Sequence, residues 1–265
     1  MLRVTKKIMA NFPSDPNFFT ARISTITTKG SQRAPVKIFS TKLDSPLKYK
    51  PGQWADFDNL QPNSRLLGLS MINYDPNSLE FACKLSPHST VQWIHQNMQV
   101  DDEIHLQLGL DQSFTLNLTE KKNIVFIAGG IGITPFMSML DYLSKQQQNH
   151  ASNDNNFLLI NIVKTEEDNI FSDRLKEYNQ AMKNLKVQTI AASRNDLNKT
   201  MEHCQKILEN TVDINDTRCY ICGPEMILKE SYNLLTRMGC SEIVVEKWAE
   251  VAFDLSQFEE KHKKR

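Results

Sequence analysis

The fold is decided by Asn123-Ile124-Val125-Phe126-Ile127-Ala128-Gly129-Gly130-Ile131-Gly132-Ile133-Thr134-Pro135, which predicts a buried strand, a glycine turn and the start of a helix. The run from Ile124 to Ala128 is short, apolar and continuous, as expected of a parallel strand covered on both faces. We expect Thr134 to cap the following helix, and Pro135 suits the first turn, where a missing N–H group costs nothing.

The glycines of this stretch indicate a ligand site. The chain contains only 9 glycines in 265 residues, yet Gly129, Gly130 and Gly132 lie within four positions. Glycine lets the backbone approach a ligand closely, and a helix N-terminus offers free N–H groups and positive potential to a phosphate. The pattern predicts a dinucleotide site in outline, although it is not the full G-x-G-x-x-G motif. The alternative is a tight strand-to-helix turn that binds nothing.

The chain before this stretch is predicted to form a small antiparallel β-barrel, because several short strands follow at regular spacing between Pro, Gly, Asn and Asp. The predicted strands are Phe19–Thr28, Val36–Thr41, Gln53–Phe57, Leu66–Ile72, Leu79–Leu85 and Glu103–Leu108. The first strand alternates, and one of its faces is predicted to carry Phe19, Ala21, Ile23 and Thr25. One helix, Thr90–Met98, interrupts the strands with Val91, Ile94 and Met98 on one face.

From Asn123 onward, strands and helices alternate, which predicts a doubly wound parallel sheet. The predicted strands are Asn123–Ala128, Phe157–Val163, Val187–Ala192, Arg218–Cys222 and Glu242–Val245. The predicted helices are Pro135–Gln147, Phe171–Lys183, Thr200–Asn210 and Pro224–Met238. The polar tract at 146–149 and 153–156 is predicted to be a disordered surface insertion. We therefore expect a β-barrel at 18–118, an α/β nucleotide-binding domain at 123–248 and a solvated tail at 249–265.

Composition excludes several function classes. Lys plus Arg equals Asp plus Glu at 31 each, so no overall field favours nucleic acid or an anionic membrane. The longest apolar runs are far too short to span a bilayer. Residues 1–17 are weakly compatible with a mitochondrial presequence and are otherwise a frayed terminus, so we expect an intracellular protein, mitochondrial or cytoplasmic.

The five cysteines are predicted to be reduced thiols, because their number is odd and they are widely scattered. Cys219-x-x-Cys222 invites a redox or zinc interpretation. No second pair completes a zinc site, however, and the segment has the character of a strand. We therefore predict no metal site.

The order of five motifs resembles the ferredoxin–NADP reductase superfamily, in which a flavin-binding barrel precedes a nucleotide-binding domain. The motifs are Pro51-Gly52-Gln53-Trp54, the strand at Ser70, Ala128-Gly129-Gly130-Ile131-Gly132-Ile133-Thr134-Pro135, Cys222-Gly223-Pro224-Glu225-Met226 and Glu246-Lys247-Trp248. They cover residues 19 to 248 and are jointly specific, because chance would have to place all of them in order. The chain is similar to a branch that has a Gly-aromatic-Ser strand, at the place where this chain has Gly68-Leu69-Ser70, and a similar ending.

The resemblance implies that NAD(H) or NADP(H) binds the second domain and that Ser70, Cys222 and Trp248 are catalytic. Cys222 would lie near the reactive carbon of the nicotinamide, at the strand end where open α/β sheets bind ligands; the alternative is a buried small hydrophobic residue. Trp248 would stack over a flavin or the nicotinamide, or else pack between the domains. The implied nucleotide-binding residues are Gly129, Gly130, Ile131, Gly132, Ile133, Thr134, Ser193, Arg194, Cys222, Gly223, Pro224 and Met226.

The flavin half departs from the pattern of the superfamily. Typical members carry Arg-x-Tyr-Ser/Thr, in which the arginine pairs with the flavin pyrophosphate and the tyrosine flanks the ring. Alignment on Ser70 puts Leu69 at the tyrosine and Leu67 at the arginine, so a contact worth about 1.5–3 kcal/mol is missing unless Arg65 substitutes. FAD is favoured over FMN, because the barrel helix offers its N-terminus to a pyrophosphate. The implied flavin-binding residues are Arg65, Gly68, Leu69, Ser70, Ser89 and Thr90.

The choice between NADH and NADPH is left open by the sequence. Ser193-Arg194 follows the third strand of the second domain, where relatives that use NADP contact the 2′-phosphate, and an arginine suits that charge. The alternative is an ordinary charge on a surface loop. Glu166 and Glu167 are candidates for a ribose contact by position only.

These features predict a flavin-dependent NAD(P)H oxidoreductase that passes hydride from nicotinamide to flavin and electrons to an unknown acceptor, a small molecule or a separate protein. One alternative is an NAD(P)-binding regulatory module that has lost flavin and turnover, as the missing Arg and Tyr suggest. Another is a dehydrogenase without flavin, although the barrel offers no evident catalytic pair. His88 and His95 are predicted to be a loop residue and a polar helix-face residue.

Overall fold

In the computed structural model, which describes residues 18–61, 65–118, 123–148, 154–191 and 197–246, two sheets form the fold. The antiparallel sheet has the order β4-β3-β6-β1-β2-β5 and contains β1 (Phe18–Lys29), β2 (Val36–Leu43), β3 (Trp54–Asp58), β4 (Leu67–Ser70), β5 (Glu80–Lys84) and β6 (Glu103–Leu108). The parallel sheet has the order β11-β10-β7-β8-β9 and contains β7 (Asn123–Gly129), β8 (Asn156–Val163), β9 (Leu185–Ala191), β10 (Thr217–Cys222) and β11 (Glu242–Val245). The helices are α1 (Ser89–Gln96), α2 (Thr134–Gln148), α3 (Ser172–Ala181), α4 (Leu197–Glu209) and α5 (Glu225–Arg237). The predicted two-domain fold class is confirmed.

The antiparallel sheet curls into a barrel because its two edge strands meet. Beyond β4, Met71 forms a bridge with Phe81 of β5, and the Ile72 N–H group donates to the Glu80 carbonyl oxygen at 2.8 Å. The interior is filled by large apolar side chains, among them Phe39, Phe57 and Ile104. Helix α1 packs against this core through Val91 and Ile94, and Met98, which was predicted to end the helix but follows it, joins the same core.

Strand β1 departs from the simple alternation that its sequence predicts. Its register with β2 shifts between Ile23 and Thr25. Because this β-bulge adds one residue to the strand, the faces change places beyond it. Thr25, expected on the buried face, is exposed, and Ile26 packs against the barrel core instead.

The parallel sheet is covered on both faces, which explains the unbroken apolar run of β7. Ile124, Phe126 and Ala128 share a hydrophobic cluster with residues of α2 and α3. Val125 and Ile127 point to the opposite face, where they share a second cluster with residues of α4 and α5. No helix in the described ranges is long and apolar enough to cross a membrane.

The two domains are joined by a common core and a polar network. Barrel residues Val36, Ile38, Ile72 and Ala82 belong to the same hydrophobic cluster as α2. The Arg174 guanidinium forms an ion pair with Glu80 at 2.8 Å and donates to the Ile72 carbonyl oxygen at 2.9 Å. The Tyr178 hydroxyl donates to Asp141, and the Asp141 carboxylate also accepts from the Tyr74 N–H group at 2.6 Å. Buried contacts of this kind hold one orientation of the domains.

The polar tract before β8 is only partly as expected. Helix α2 continues to Gln148, and Asn156 already belongs to β8, so both flanks of the predicted disordered insertion are regular. Asn184 holds these flanks, because its side-chain oxygen accepts from Gln147 and its amide nitrogen donates to the Asn155 carbonyl oxygen. The middle of the tract and the predicted tail at 249–265 lie outside the described residues.

Candidate functional site

The glycine turn joins β7 to α2 through a short 3₁₀ turn, Gly130–Ile133. Gly130 has φ of +55°, a left-handed conformation that favours glycine, and a Cβ atom at this position would meet nothing within 4 Å. The space above Gly130 is therefore open to a ligand.

The other two glycines of the turn are required by packing. A Cβ atom on Gly132 would lie 2.5 Å from the carbonyl carbon of Cys222 and from the nitrogen of Gly223. A Cβ atom on Gly129 would lie 3.0 Å from Cδ of Pro224. The glycine turn and the turn that follows β10 therefore touch backbone to backbone, which brings two of the predicted motifs together.

Thr134 does not act as the expected cap. It has helical φ and ψ, its hydroxyl donates to the Ile131 carbonyl oxygen at 3.0 Å, and its N–H group bonds the same oxygen. The cause is the 3₁₀ turn, which runs into α2 without the extended residue that a side-chain cap requires.

A pocket of about 180 Å³ lies over the carboxyl ends of β7 and β8, between the two domains. Of the predicted nucleotide-binding residues, those that line it are Gly129, Gly130, Ile131, Pro224 and Met226. Its charged lining residues, Lys84, Lys164 and Asp168, come from both domains and were not predicted. Lys164 directly follows β8, so its position beside the sheet edge was the signal available in the sequence.

Asp168 forms a hydrogen bond across the domain junction. Its carboxylate accepts from the Ser31 N–H group at 3.4 Å and from the Thr165 hydroxyl at 3.0 Å. Burial raises the pKa of Asp168, but the hydrogen bonds from Ser31 and Thr165 outweigh burial and hold it below the usual range. Glu166 and Glu167, the ribose candidates, lie in the same turn but are exposed and do not line the pocket.

Cys222 ends β10 with its side chain in the core. It is 0% exposed and belongs to the hydrophobic cluster that contains α2, whereas Cys219 lies on the opposite face of the sheet. The two thiols of the Cys-x-x-Cys segment therefore point away from each other, as an i, i+3 pair on a strand must. All five cysteines are buried, and their side chains are thiols in this structure.

Ser70 ends β4 in the barrel and is only 2% exposed. Its hydroxyl has no hydrogen-bond partner among the residues that the structure describes. A buried hydroxyl without a partner carries a desolvation cost of about 1–3 kcal/mol, which a bound ligand can remove.

Comparison with known proteins agrees with this geometry. Residues 126–231 match the sequence profile of the family described as Oxidoreductase NAD-binding domain. Oxidoreductase NAD-binding domain-containing protein 1 from Bos taurus is 32% identical over 116 residues, which cover 41% of this chain and 37% of that protein. The protein of the same name from Danio rerio is 24% identical over 252 residues, which cover 87% of this chain and 92% of that protein. The match to the Bos taurus protein thus spans little more than a third of its length.

Solved structures extend the comparison to the whole fold. Ferredoxin-NADP+ reductase from Plasmodium falciparum superposes with a TM-score of 0.71 at 17% identity, over 88% of this chain and 97% of that chain. The predicted resemblance is confirmed: the chain has the ferredoxin–NADP reductase fold. A reductase from Neisseria gonorrhoeae, solved with bound FAD and NADP, superposes with a TM-score of 0.68 at 19% identity, over 88% of this chain and 99% of that chain.

Strand β4 has Leu67 and Leu69 at the positions where the superfamily pattern has arginine and tyrosine, and both leucines have a packing role in this fold. Leu69 is buried in the barrel core, and Leu67 packs against the same core from its half-buried position. Gly68 and Ser70 alternate with them and face the other way. The two leucines at the positions of the family tyrosine and arginine are thus part of the barrel interior.

The N-terminus of α1 is already engaged by the chain. The Thr90 N–H group donates to Nδ1 of His88 at 3.3 Å, and the Thr90 hydroxyl donates to the carbonyl oxygen of Arg65. His88, expected in a loop, is the N-cap residue, and Ser89 beside it is exposed. A pyrophosphate at this helix would have to replace the partners of Thr90.

Glu246 is a buried acid at the end of β11, and it was not among the predicted site residues although it lies in a quoted motif. It directly follows β11, is 9% exposed, and its N–H group donates to the Ile221 carbonyl oxygen at 3.0 Å. Burial, with a smaller contribution from the negative charge of Asp111, raises the pKa of Glu246 to about 7. Three predicted residues, Ser193, Arg194 and Trp248, lie outside the described residues.

Proposed function

We propose that the protein is a flavin-dependent NAD(P)H oxidoreductase with FAD in the barrel and a nicotinamide nucleotide on the parallel sheet. The observation that carries the proposal is the buried Ser70 hydroxyl, which lacks a partner within the described residues. The resemblance implies that this hydroxyl lies near the flavin nitrogen that accepts the hydride. The open space above Gly130 and the bound FAD and NADP of the Neisseria gonorrhoeae reductase support the same assignment.

The nucleotide would rest its pyrophosphate on the glycine turn. Gly130 presents backbone to the pocket, and α2 directs its N-terminal dipole there. Because β10 and β8 lie on opposite sides of β7, a nicotinamide near Cys222 leaves the adenosine half over β8, beside Lys164. A lysine there suits an anionic group better than an acid would.

Bound flavin would supply the chemistry of accepting two electrons and releasing them to an acceptor. Ser70 would donate a hydrogen bond from its hydroxyl group to the flavin ring. This bond would hold the ring in register with β4. Cys222 would support the nicotinamide site from the core beneath it as a small, buried side chain. Glu246 would hold a proton near neutral pH, since its pKa is about 7. Trp248 would exclude water by covering the ring, and the electron acceptor would be a small molecule or a separate protein.

The decisive experiment is the visible absorbance spectrum of the purified protein, with the flavin fluorescence of its denatured supernatant. We expect flavin bands near one equivalent that bleach on anaerobic addition of NADH or NADPH, and the faster nucleotide identifies the preference. Absence of flavin, with no uptake of added FAD or FMN, would contradict the proposal.

A second candidate is an NAD(P)-binding regulatory module that has lost flavin and turnover. The observation in its favour is that Leu67 and Leu69 face the barrel core, so neither offers a side chain to a flavin. Calorimetric titration separates the candidates, because the module would bind NAD(P)H and take up no flavin.

A further inference from the structure

Trp54 is an aromatic side chain on the outer face of the barrel beside Ser70. Trp54 is half-buried and lies directly opposite Ser70 in the β3–β4 register. A Cβ atom on Gly109 would lie 2.5 Å from Cδ2 and 2.7 Å from Cζ2 of the indole. A Cβ atom on Gly68 would lie 3.6 Å from Cε3 of the same ring. The indole is therefore laid across two glycines, one following β6 and one in β4.

This arrangement is held by hydrogen bonds to the glycine that follows β6. The Gly109 N–H group donates to the Trp54 carbonyl oxygen at 2.9 Å, and the Gly109 carbonyl oxygen accepts from Nε2 of Gln53 at 2.9 Å. Oε1 of Gln53 in turn accepts from the Lys50 N–H group at 2.9 Å. The buried Gln53 amide thus fixes the backbone beneath the ring. The Pro51-Gly52-Gln53-Trp54 motif builds a rigid aromatic surface.

The neighbouring strand offers no competing aromatic surface. Leu69, which aligns with the ring-flanking tyrosine of the superfamily, is buried in the barrel core. Gly68 has no side chain and lies against the Trp54 indole, and Ser70 has its hydroxyl without a partner in the described chain. A planar ligand that bonded Ser70 would therefore meet the partly exposed indole of Trp54.

We propose that Trp54 is the residue on which the flavin ring stacks, so that β3 supplies the aromatic contact missing from β4. The inference rests on the proposed function, because it requires FAD in the barrel. Stacking of the flavin ring on the indole is favourable, as it is for other pairs of aromatic rings. Because the indole is already held in place on β3, it loses little conformational freedom when FAD binds. Trp54 is a positioning residue in this role, since it orients the ring without exchanging protons.

The test uses the fluorescence of bound FAD. Indole quenches an excited flavin in contact with it by electron transfer, whereas the phenyl ring of phenylalanine stacks but does not donate. Trp54→Phe should therefore keep FAD affinity and make the bound flavin several-fold brighter. The matched control is Trp93→Phe, since Trp93 of α1 packs on the barrel core and should leave the fluorescence unchanged. Both variants are made in a Trp248→Phe background, because the chain has three tryptophans.

A second variant measures the contact itself. Trp54→Ala should weaken FAD binding about tenfold or more, while NAD(P)H binding to the same variant is retained. The inference would be overturned if the fluorescence of bound FAD did not increase in Trp54→Phe. It would also be overturned if Trp54→Ala bound FAD at least as tightly as the protein with Trp54. Either result would leave the proposed function intact. Failure of the unmodified protein to bind FAD would overturn both.

Discussion

The glycine turn Gly130–Ile133 and the barrel face around Ser70 differ in how their functional groups are assembled. The turn is one continuous stretch, and its neighbours in space are mainly the turn after β10. The barrel face draws on three strands, with Trp54 from β3, Ser70 from β4 and Gly109 after β6. A site made from one continuous stretch can be recognised in the sequence as a motif. A site made from several strands can lose a motif residue on one strand when a residue on the neighbouring strand takes over its contact.

The largest effect is expected inside the glycine turn. Gly132→Ala should destabilise the protein by about 3 kcal/mol, because the added Cβ atom would overlap the backbone of Cys222 and Gly223. Gly130→Ala should cost only about 1 kcal/mol, since its Cβ atom meets nothing and only the left-handed φ is unfavourable. Urea unfolding of both variants measures the difference. Equal losses would mean that the two glycines do not have separate roles.

The next effect is expected at Glu246, the buried acid that follows β11. Its folded pKa is raised from 4.5 to about 7, so between these pH values the native state keeps a proton that the unfolded state releases. The resulting stabilisation is complete below pH 4.5 and is lost as pH rises through 7, by about 3 kcal/mol. Glu246→Gln should remove this slope in denaturant titrations at pH 5 to 8. A slope that persists in the Gln variant would assign it to another group.

A smaller effect should distinguish charge repulsion of a bound phosphate at the turn from steric exclusion of the nucleotide by the added side chain. Asparagine and aspartate both tolerate the left-handed φ of Gly130 and have nearly equal size. Gly130→Asp should bind NAD(P)H about tenfold more weakly than Gly130→Asn, because only Asp adds negative charge beside the pyrophosphate. Calorimetry at low salt gives both affinities. Equal affinities would move the pyrophosphate away from Gly130.

The smallest effect is expected on the barrel side. Ser70→Ala removes a buried hydroxyl without a partner in the described chain, so the flavin-free protein should become more stable by about 1 kcal/mol. FAD affinity should fall roughly fivefold, the contribution of one hydrogen bond of about 1 kcal/mol. Parallel thermal melts and FAD titrations provide the two values. A large loss of stability without FAD would show that Ser70 has a partner in the folded chain.

Periodicity and glycine spacing were sufficient to predict the order of strands and helices, the two-domain class and the turn after β7. These features depend on local patterns. Apolar residues recur every two residues along a half-buried strand and about every 3.6 residues along a helix that buries one face. The bulge in β1 was not predictable, since it depends on pairing with β2. The engaged N-terminus of α1 escaped prediction because its partner, the Arg65 carbonyl oxygen, lies 25 residues earlier.

The sequence by itself determined that a barrel precedes a parallel sheet and that a turn with three glycines follows the first strand of that sheet. Only the tertiary structure decided that Gly132 serves packing while Gly130 faces a pocket, and that Trp54 lies across Gly68 and Gly109 beside Ser70. The physical reason is that a side chain's role depends on what lies against it. In this fold those neighbours come from strands that are distant in the chain.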